Sequence, residues 1–158
     1  MIIRVATDKD LTRMTEITRG ALSFASSPDP YVWDAASDKE LTKRLHDYIR
    51  GGTGLALVLE VENALVGFVA CRFDELDPRS PDKAAVVDLL AVDEAYRGRT
   101  LGTHLIQELV YTLPAHGVTQ VHVDVIGSNS DALSFWRRAG FHEHAVTMSI
   151  DLAGAESK

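Results

Sequence analysis

The chain has a single cysteine among 158 residues and only two tryptophans. It also has no apolar run long enough to cross a bilayer. Cys71 alone excludes an intrachain disulfide framework and a zinc site built on several thiolates. Cations are in the minority. The 16 Lys and Arg against 23 Asp and Glu leave a formal charge of −7, which repels a phosphate backbone and argues against a nucleic-acid partner. The opening MIIRVATDKD passes from an apolar triplet into charge without a signal-peptide core, so a cytoplasmic protein with no membrane partner is expected. A hydrophobic content of 46% is present, enough for the core of one ordinary domain. That domain is expected over residues 1–152, with a frayed tail at 153–158.

Residues 2–5 read as a short strand, and Thr7-Asp8-Lys9-Asp10 as a capping box opening a helix with Leu11, Met14 and Ile17 or Thr18 on one side. The stretch SSPDPYVWDAAS, residues 26–37, has the composition of a loop. Ser37 to Glu40 is a second capping box, followed by Leu41, Leu45, Tyr48 and Ile49 at helical spacing until Gly51-Gly52. Residues 55–61 and 65–73 form a predicted hairpin about Glu62-Asn63-Ala64. Residues 84–92 form a nearly continuous apolar run, broken only by Asp88, which predicts a buried central strand.

A helix from near Leu101 to Pro114, a strand over 118–126 and a helix capped by Asn129 follow. The last helix carries Ala132, Leu133, Phe135, Trp136 and Ala139 as its apolar stripe, and Gly140-Phe141 reads as its C-terminal stop. A final strand is expected over 145–152. The order β α α β β β α β α β predicts a mixed α/β (α+β) sandwich with helices on both faces of the sheet, distinct from a regular doubly wound nucleotide fold.

The turn after the central strand, YRGRTLGTHL at 96–105, places Gly98 and Gly102 at the start of a helix, where unpaired backbone N–H groups converge. Arg97 and Arg99 add positive charge to an acidic molecule, as do Arg137 and Arg138 elsewhere. The turn lacks the lysine of a P-loop and the spacing of a dinucleotide-binding glycine motif. Two readings stand on spacing alone: a phosphate cradle, or an ordinary tight connection from strand to helix.

Residues 89–109, LLAVDEAYRGRTLGTHLIQEL, resemble motif A of the GNAT superfamily of acyl-CoA-dependent N-acyltransferases. Residues 129–141, NSDALSFWRRAGF, are similar to its motif B, in the family's order and separation. The resemblance implies a sheet splayed beside its central strand, with the pantetheine arm of acetyl-CoA paired to the backbone of Leu90, Ala91 and Val92. It implies a pyrophosphate held by Arg97, Gly98, Arg99, Thr100, Leu101, Gly102 and Thr103. Asn129 is similar to the family asparagine that contacts the cofactor arm, and it also reads as a plain N-cap. Trp136 stands where the family often has a tyrosine that protonates the departing thiolate; an indole N–H is a donor without that capacity. It is equally placed for the acyl end of the cofactor or for the core. Thr100 stands where the first signature glycine is usual. Helix starts use negative φ, so negative φ is expected at 100.

Acyl transfer to an amine also needs a base. Asp88 interrupts an apolar strand, aligns with a frequent glutamate position of the family and, by alternation, is expected to share a face with Val86, Leu90 and Val92. The competing role is an ion pair with a nearby arginine. In the 26–37 loop, Asp29, Tyr31, Trp33 and Asp34 offer carboxylates and aromatic faces to an acceptor ammonium, or else merely cover the core. The expected acceptor is a small cationic amine; an amino-acid-like compound, a polyamine, an aminoglycoside and a peptide N-terminus all fit. No metal is expected, because His142-Glu143-His144 has no third ligand in view and Cys71 reads as a small buried hydrophobe. His122 and Asp124 read as a solvated pair. A homodimer is among the expected assemblies, and a degenerate acyl-CoA-binding sensor is the alternative to an enzyme.

Overall fold

The computed structural model describes residues 1–23 and 37–155. Five strands form one sheet: β1 (Ile2–Val5), β2 (Gly54–Val61), β3 (Ala64–Glu75), β4 (Lys83–Val92) and β5 (Val118–Val123). They lie in sequence order, antiparallel except for the parallel β4–β5 pair. The chain divides into two compact units, Met1–Asp124 and Val125–Lys158. The sheet belongs to the first.

Local sequence sets the ends of the first unit's helices. Thr7 and Asp10 close the expected capping box, with Thr7 N–H donating to Asp10 Oδ2 at 2.7 Å, and a 3-10 turn at Asp8–Asp10 leads into α1 (Leu11–Ser23). Ser37 and Glu40 make the same reciprocal pair at the start of α2 (Asp38–Arg50). Glu62 and Asn63 have φ of 51° and 65°, so the β2–β3 hairpin turns on two left-handed residues, the geometry that matches strand twist.

Met14 and Ile17 of α1 and Leu45 of α2 pack on Ala56, Val58, Phe68, Ala70, Leu89 and Ala91, all buried. Each large apolar side chain in that layer contributes about 1.5–3 kcal/mol. The opposite face of the sheet carries α3 (Leu101–Thr112), with Leu105, Ile106 and Leu109 buried. A Cβ on Gly67 would stand 3.1 Å from the Ala91 carbonyl oxygen and 3.4 Å from Leu105 Cδ1, so its missing side chain lets α3 lie close to β3. Among the described residues no helix is long and apolar enough to cross a membrane.

The second unit contains α4 (Ser130–Arg138) and the short α5 (Leu152–Ala155). Asn129 caps α4, its Oδ1 accepting from Ala132 N–H at 3.0 Å. Gly140, at φ 98°, and Phe141 donate back to Arg137 and Trp136 carbonyls, a Schellman stop as the sequence predicts. The expected final strand over 145–152 is absent. No strand pairs with it among the described residues, and Val146, Met148 and Ile150 are 81–90% exposed. Alternation favours a strand, but a ladder partner is what makes one. β5 likewise stops at Val123, short of 126, leaving Asp124 outside it.

Candidate active site

The pairing of β4 changes at one residue. Val87 faces Cys71 on β3, and Leu89 faces Ala70, so Asp88 has no opposite number: it is a β-bulge. On the other edge, β4 pairs with β5 only from Lys83 to Val87, ending at Val123, while β4 continues along β3 to Val92. The bulge and the end of the β5 pairing coincide. Beyond that point no strand of the described residues pairs with the β5 side of Asp88 to Val92.

The bulge also breaks alternation. Leu89 and Ala91 point into the α1–α2 core, opposite Ala70 and Phe68, and Asp88 reaches Tyr48 on α2. Val86, opposite Arg72, lies on that same face; Leu90 and Val92, opposite Val69 and Gly67, lie on the α3 face. The expectation that Leu90 and Val92 share the face of Asp88 is therefore corrected. An extra residue shifts the parity of everything after it.

Asp88 is 17% exposed at its side chain and accepts two hydrogen bonds. Tyr48 Oη donates to Oδ2 at 2.8 Å, and Arg72 Nη1 donates to Oδ1. Arg72 also lies 3.5 Å from Asp74. Burial, and then the neighbouring carboxylate, raise the pKa of the Tyr48 phenol, so it stays a donor at neutral pH. A pocket of about 350 Å³ opens here, lined by Arg44, Asp47, Tyr48, Thr53, Arg72 and Asp88. Next to Thr53, Gly54 carries no Cβ; one would stand 2.5 Å from the Cys71 carbonyl oxygen and 3.3 Å from Tyr48 Cδ1. Cys71 is buried, and burial pushes its thiol up to about 11, which suits a packing role.

At the other end of β4, Asp93 N–H donates to Val66 at 2.7 Å, and the Asp93 carboxylate is held below its usual range by Ala95 N–H and by Arg13. A 3-10 turn at Glu94–Tyr96 leads to Arg97, whose Nε donates to Val92 O at 3.3 Å, and to Arg99, whose guanidinium lies 5.2 Å from the Tyr96 ring centroid. Gly98 has φ 76° and Thr100 φ 60°. The expected negative φ at 100 is thus wrong. The chain must reverse from strand into helix within a few residues, and a left-handed residue immediately before Leu101 accomplishes it. Thr100 Oγ1 donates to Arg99 O at 2.6 Å and does not cap the helix. Thr100 makes no side-chain cap bond to α3, so the N–H groups of Leu101, Gly102 and Thr103, which follow the exposed turn at 97–100, have no acceptor among the described residues.

In the second unit, Trp136 packs edge to face against Phe135 and Phe141, with ring centroids 5.1 and 5.0 Å apart. Asn129 has its side-chain oxygen engaged as the α4 cap. Glu143 accepts from Arg137 Nε at 3.0 Å, and among the described residues no three His, Cys, Asp or Glu side chains group as metal ligands. His122 Nε2 lies 3.1 Å from Gln120 Oε1. Asp29, Tyr31, Trp33 and Asp34 lie outside the described residues.

The family model of the Acetyltransferase (GNAT) family matches residues 18–141. The chain belongs to that family. The match includes the β4–turn–α3 connection and α4, the two segments that resemble the family's motifs A and B. Over 89 residues the chain is 34% identical to an uncharacterized N-acetyltransferase of Methanocaldococcus jannaschii, covering 56% of this chain and 39% of that protein. Over 110 residues it is 33% identical to the L-2,4-diaminobutyric acid acetyltransferase of Nocardia farcinica, covering 66% of this chain and 55% of that one. The matched part thus spans about half the length of these relatives or less. A possible acetyltransferase from Clostridium difficile 630 has the same fold, with a TM-score of 0.77 over 95% of both chains at 16% identity. Acetyl-CoA is the standard cosubstrate of GNAT acetyltransferases.

Sequence reasoning missed Tyr48, Arg72, Arg44, Asp47 and Thr53. Tyr48 was readable only as part of an apolar stripe, although a buried phenol needs a partner. Arg72 interrupts the apolar run of β3 much as Asp88 interrupts β4; two opposite charges in adjacent buried strands were the available signal.

Proposed function

We propose that this chain transfers an acetyl group from acetyl-CoA to the primary amine of a small acceptor by direct attack in a ternary complex. The observation that carries this reading is the coincidence, on β4, of a bulged carboxylate, the end of the β5 pairing and an uncapped helix start beyond it. The family match runs unbroken across both compact units, which supports their reading as parts of one catalytic domain.

The residues present suit the cosubstrate. The open edge at Leu90, Ala91 and Val92 offers backbone donors and acceptors for an extended amide arm. The N–H groups of Gly98 to Thr103 at the helix start, with Arg97 and Arg99 beside them, suit a pyrophosphate. Asn129 and Trp136 are assigned to the cofactor arm and the acyl end. Asp88 takes the proton from the acceptor ammonium, directly or through a water, leaving a neutral nitrogen lone pair. That nitrogen attacks the thioester carbonyl carbon, the C–S bond breaks, and a backbone N–H near Leu90 to Val92 meets the negative charge growing on the carbonyl oxygen. Trp136 supplies no proton. A thiol's unperturbed pKa of about 8.5 lets the departing thiolate take one from the newly acylated nitrogen or from solvent. Asp29, Tyr31, Trp33 and Asp34 are proposed to hold the amine.

One observation favours a second reading, an acyl-CoA sensor without turnover. Arg72 is paired with Asp88, so an acceptor ammonium has to compete with a guanidinium already held by that carboxylate. Thiol release from acetyl-CoA against a panel of diamines, amino acids, aminoglycosides and peptide N-termini separates the two. Asp88→Asn should lower kcat by about 100-fold or more. Cofactor binding with no thiol release on any acceptor favours the sensor, and a loss below threefold removes Asp88 as the base.

A further inference from the structure

The pocket beside Asp88 is not an acidic hole. Its lining contains two guanidinium groups and two carboxylates, so its charges cancel even though the whole chain carries −7. The arrangement is ordered: Tyr48 and Asp88 are half-buried on the inner side, while Arg44 and Asp47 are exposed at the mouth. Arg44 and Tyr48 are four residues apart on α2, which puts them on one face about 5–6 Å apart at Cβ, close to the reach from a side-chain amine to the carboxylate of a short diamino acid.

We propose that the acceptor is zwitterionic: an amino-acid-like amine whose carboxylate is received by Arg44 while its reacting nitrogen lies against Tyr48 and Asp88. This rests on the acetyl-transfer reading of the same site. The chemistry selects this class over a simple polyamine. A diamine's second ammonium can be met by Asp47 but leaves the Arg44 guanidinium unmatched, whereas an amino acid adds a carboxylate that gains charge-assisted hydrogen bonds from that guanidinium. Asp47, one turn along, suits an α-ammonium next to that carboxylate. The Tyr48 oxygen donates its proton to Asp88 and keeps lone pairs, so it can accept from the reacting ammonium and link it to the carboxylate. A volume near the lower end of small-molecule sites suits an amino acid better than an aminoglycoside.

The test uses pairs that differ only in the carboxylate: L-2,4-diaminobutyrate against 1,3-diaminopropane, and L-ornithine against putrescine. Calorimetry at 0.15 M salt should give the amino acids at least tenfold tighter binding, and Arg44→Gln should shrink that ratio to within threefold, with Arg44→Lys between. Equal or tighter binding of the diamines, a ratio unmoved by Arg44→Gln, or no binding of any of the four at millimolar concentration overturns the proposal. Thiol release on the same compounds keeps the two failures apart. A preserved carboxylate preference without any acetyl transfer sinks only the enzymatic reading. Equal kcat/KM for both members of each pair sinks only the zwitterion.

Discussion

The hydroxyl of Tyr48 donates to Asp88 Oδ2 at 2.8 Å, joining the last turns of α2 to the one residue of β4 that faces no residue of β3. The phenol's pKa is raised first by burial and then by that carboxylate. A raised folded value contributes stability that is complete below the unfolded pKa of about 10 and is lost as pH climbs through the folded one. Phenolate absorbance should therefore show one tyrosine titrating after the rest. Tyr48→Phe should delete that late step and flatten the fall in stability above pH 10. An early-titrating Tyr48 would contradict the buried hydrogen bond.

Asp10 gives the mirror case at low pH. Arg4 donates to both its oxygens, at 2.8 and 2.9 Å, and with Thr7 N–H these bonds lower its pKa despite burial. A depressed carboxylate contributes stability above its unfolded pKa that disappears as pH falls through the folded value. Asp10→Asn should cost about 1–3 kcal/mol at pH 7. In urea titrations, the difference from the parent should close as the pH drops below 4.

Thr100 sits at φ 60°, where a β-branched residue costs about 1–2 kcal/mol. Glycine relieves that strain and gives back about 0.5–1 kcal/mol through the unfolded chain. Thr100→Gly should therefore raise stability by about 0.5–1 kcal/mol, whereas Thr100→Ala, which keeps a Cβ, should not. Thermal melts of the three proteins test this, and a glycine variant that melts lower would rule out the left-handed turn.

Gly54 lies against the Tyr48 ring that lines the pocket. A methyl there meets backbone at 2.5 Å, so Gly54→Ala should cost about 1–3 kcal/mol through overpacking. Because the Tyr48 ring is the next nearest contact, the late tyrosine titration should also move toward the ordinary range. Unchanged stability together with an unchanged titration would show that the packing around Gly54 is looser than these distances.

The sequence made the sheet and its helices legible wherever a local rule sufficed. Both capping boxes, the hairpin about Glu62-Asn63 and the stop at Gly140-Phe141 depend on neighbouring residues, and all are present. The motif A turn was legible as a tight connection from strand to helix, but the backbone of Thr100 was misread because its left-handed φ is imposed by the reversal into α3. The bulge was invisible because alternation assumes an unbroken ladder, and whether Asp88 is skipped depends on Cys71 and Ala70 of another strand. For the same reason the apolar alternation around Met148 predicted a strand that no partner completes among the described residues. Tyr48 and Arg72 became site residues only through contacts across 40 and 16 positions of sequence.

The bulge has a further consequence for how this site can change. Because Val87 and Leu89 face successive residues of β3, the β3–β4 ladder would close with every core residue on its present face if position 88 did not exist. Asp88 is supernumerary to the sheet. A supernumerary position can exchange its side chain without re-registering the strand, so the chemistry at 88 is uncoupled from the architecture that displays it.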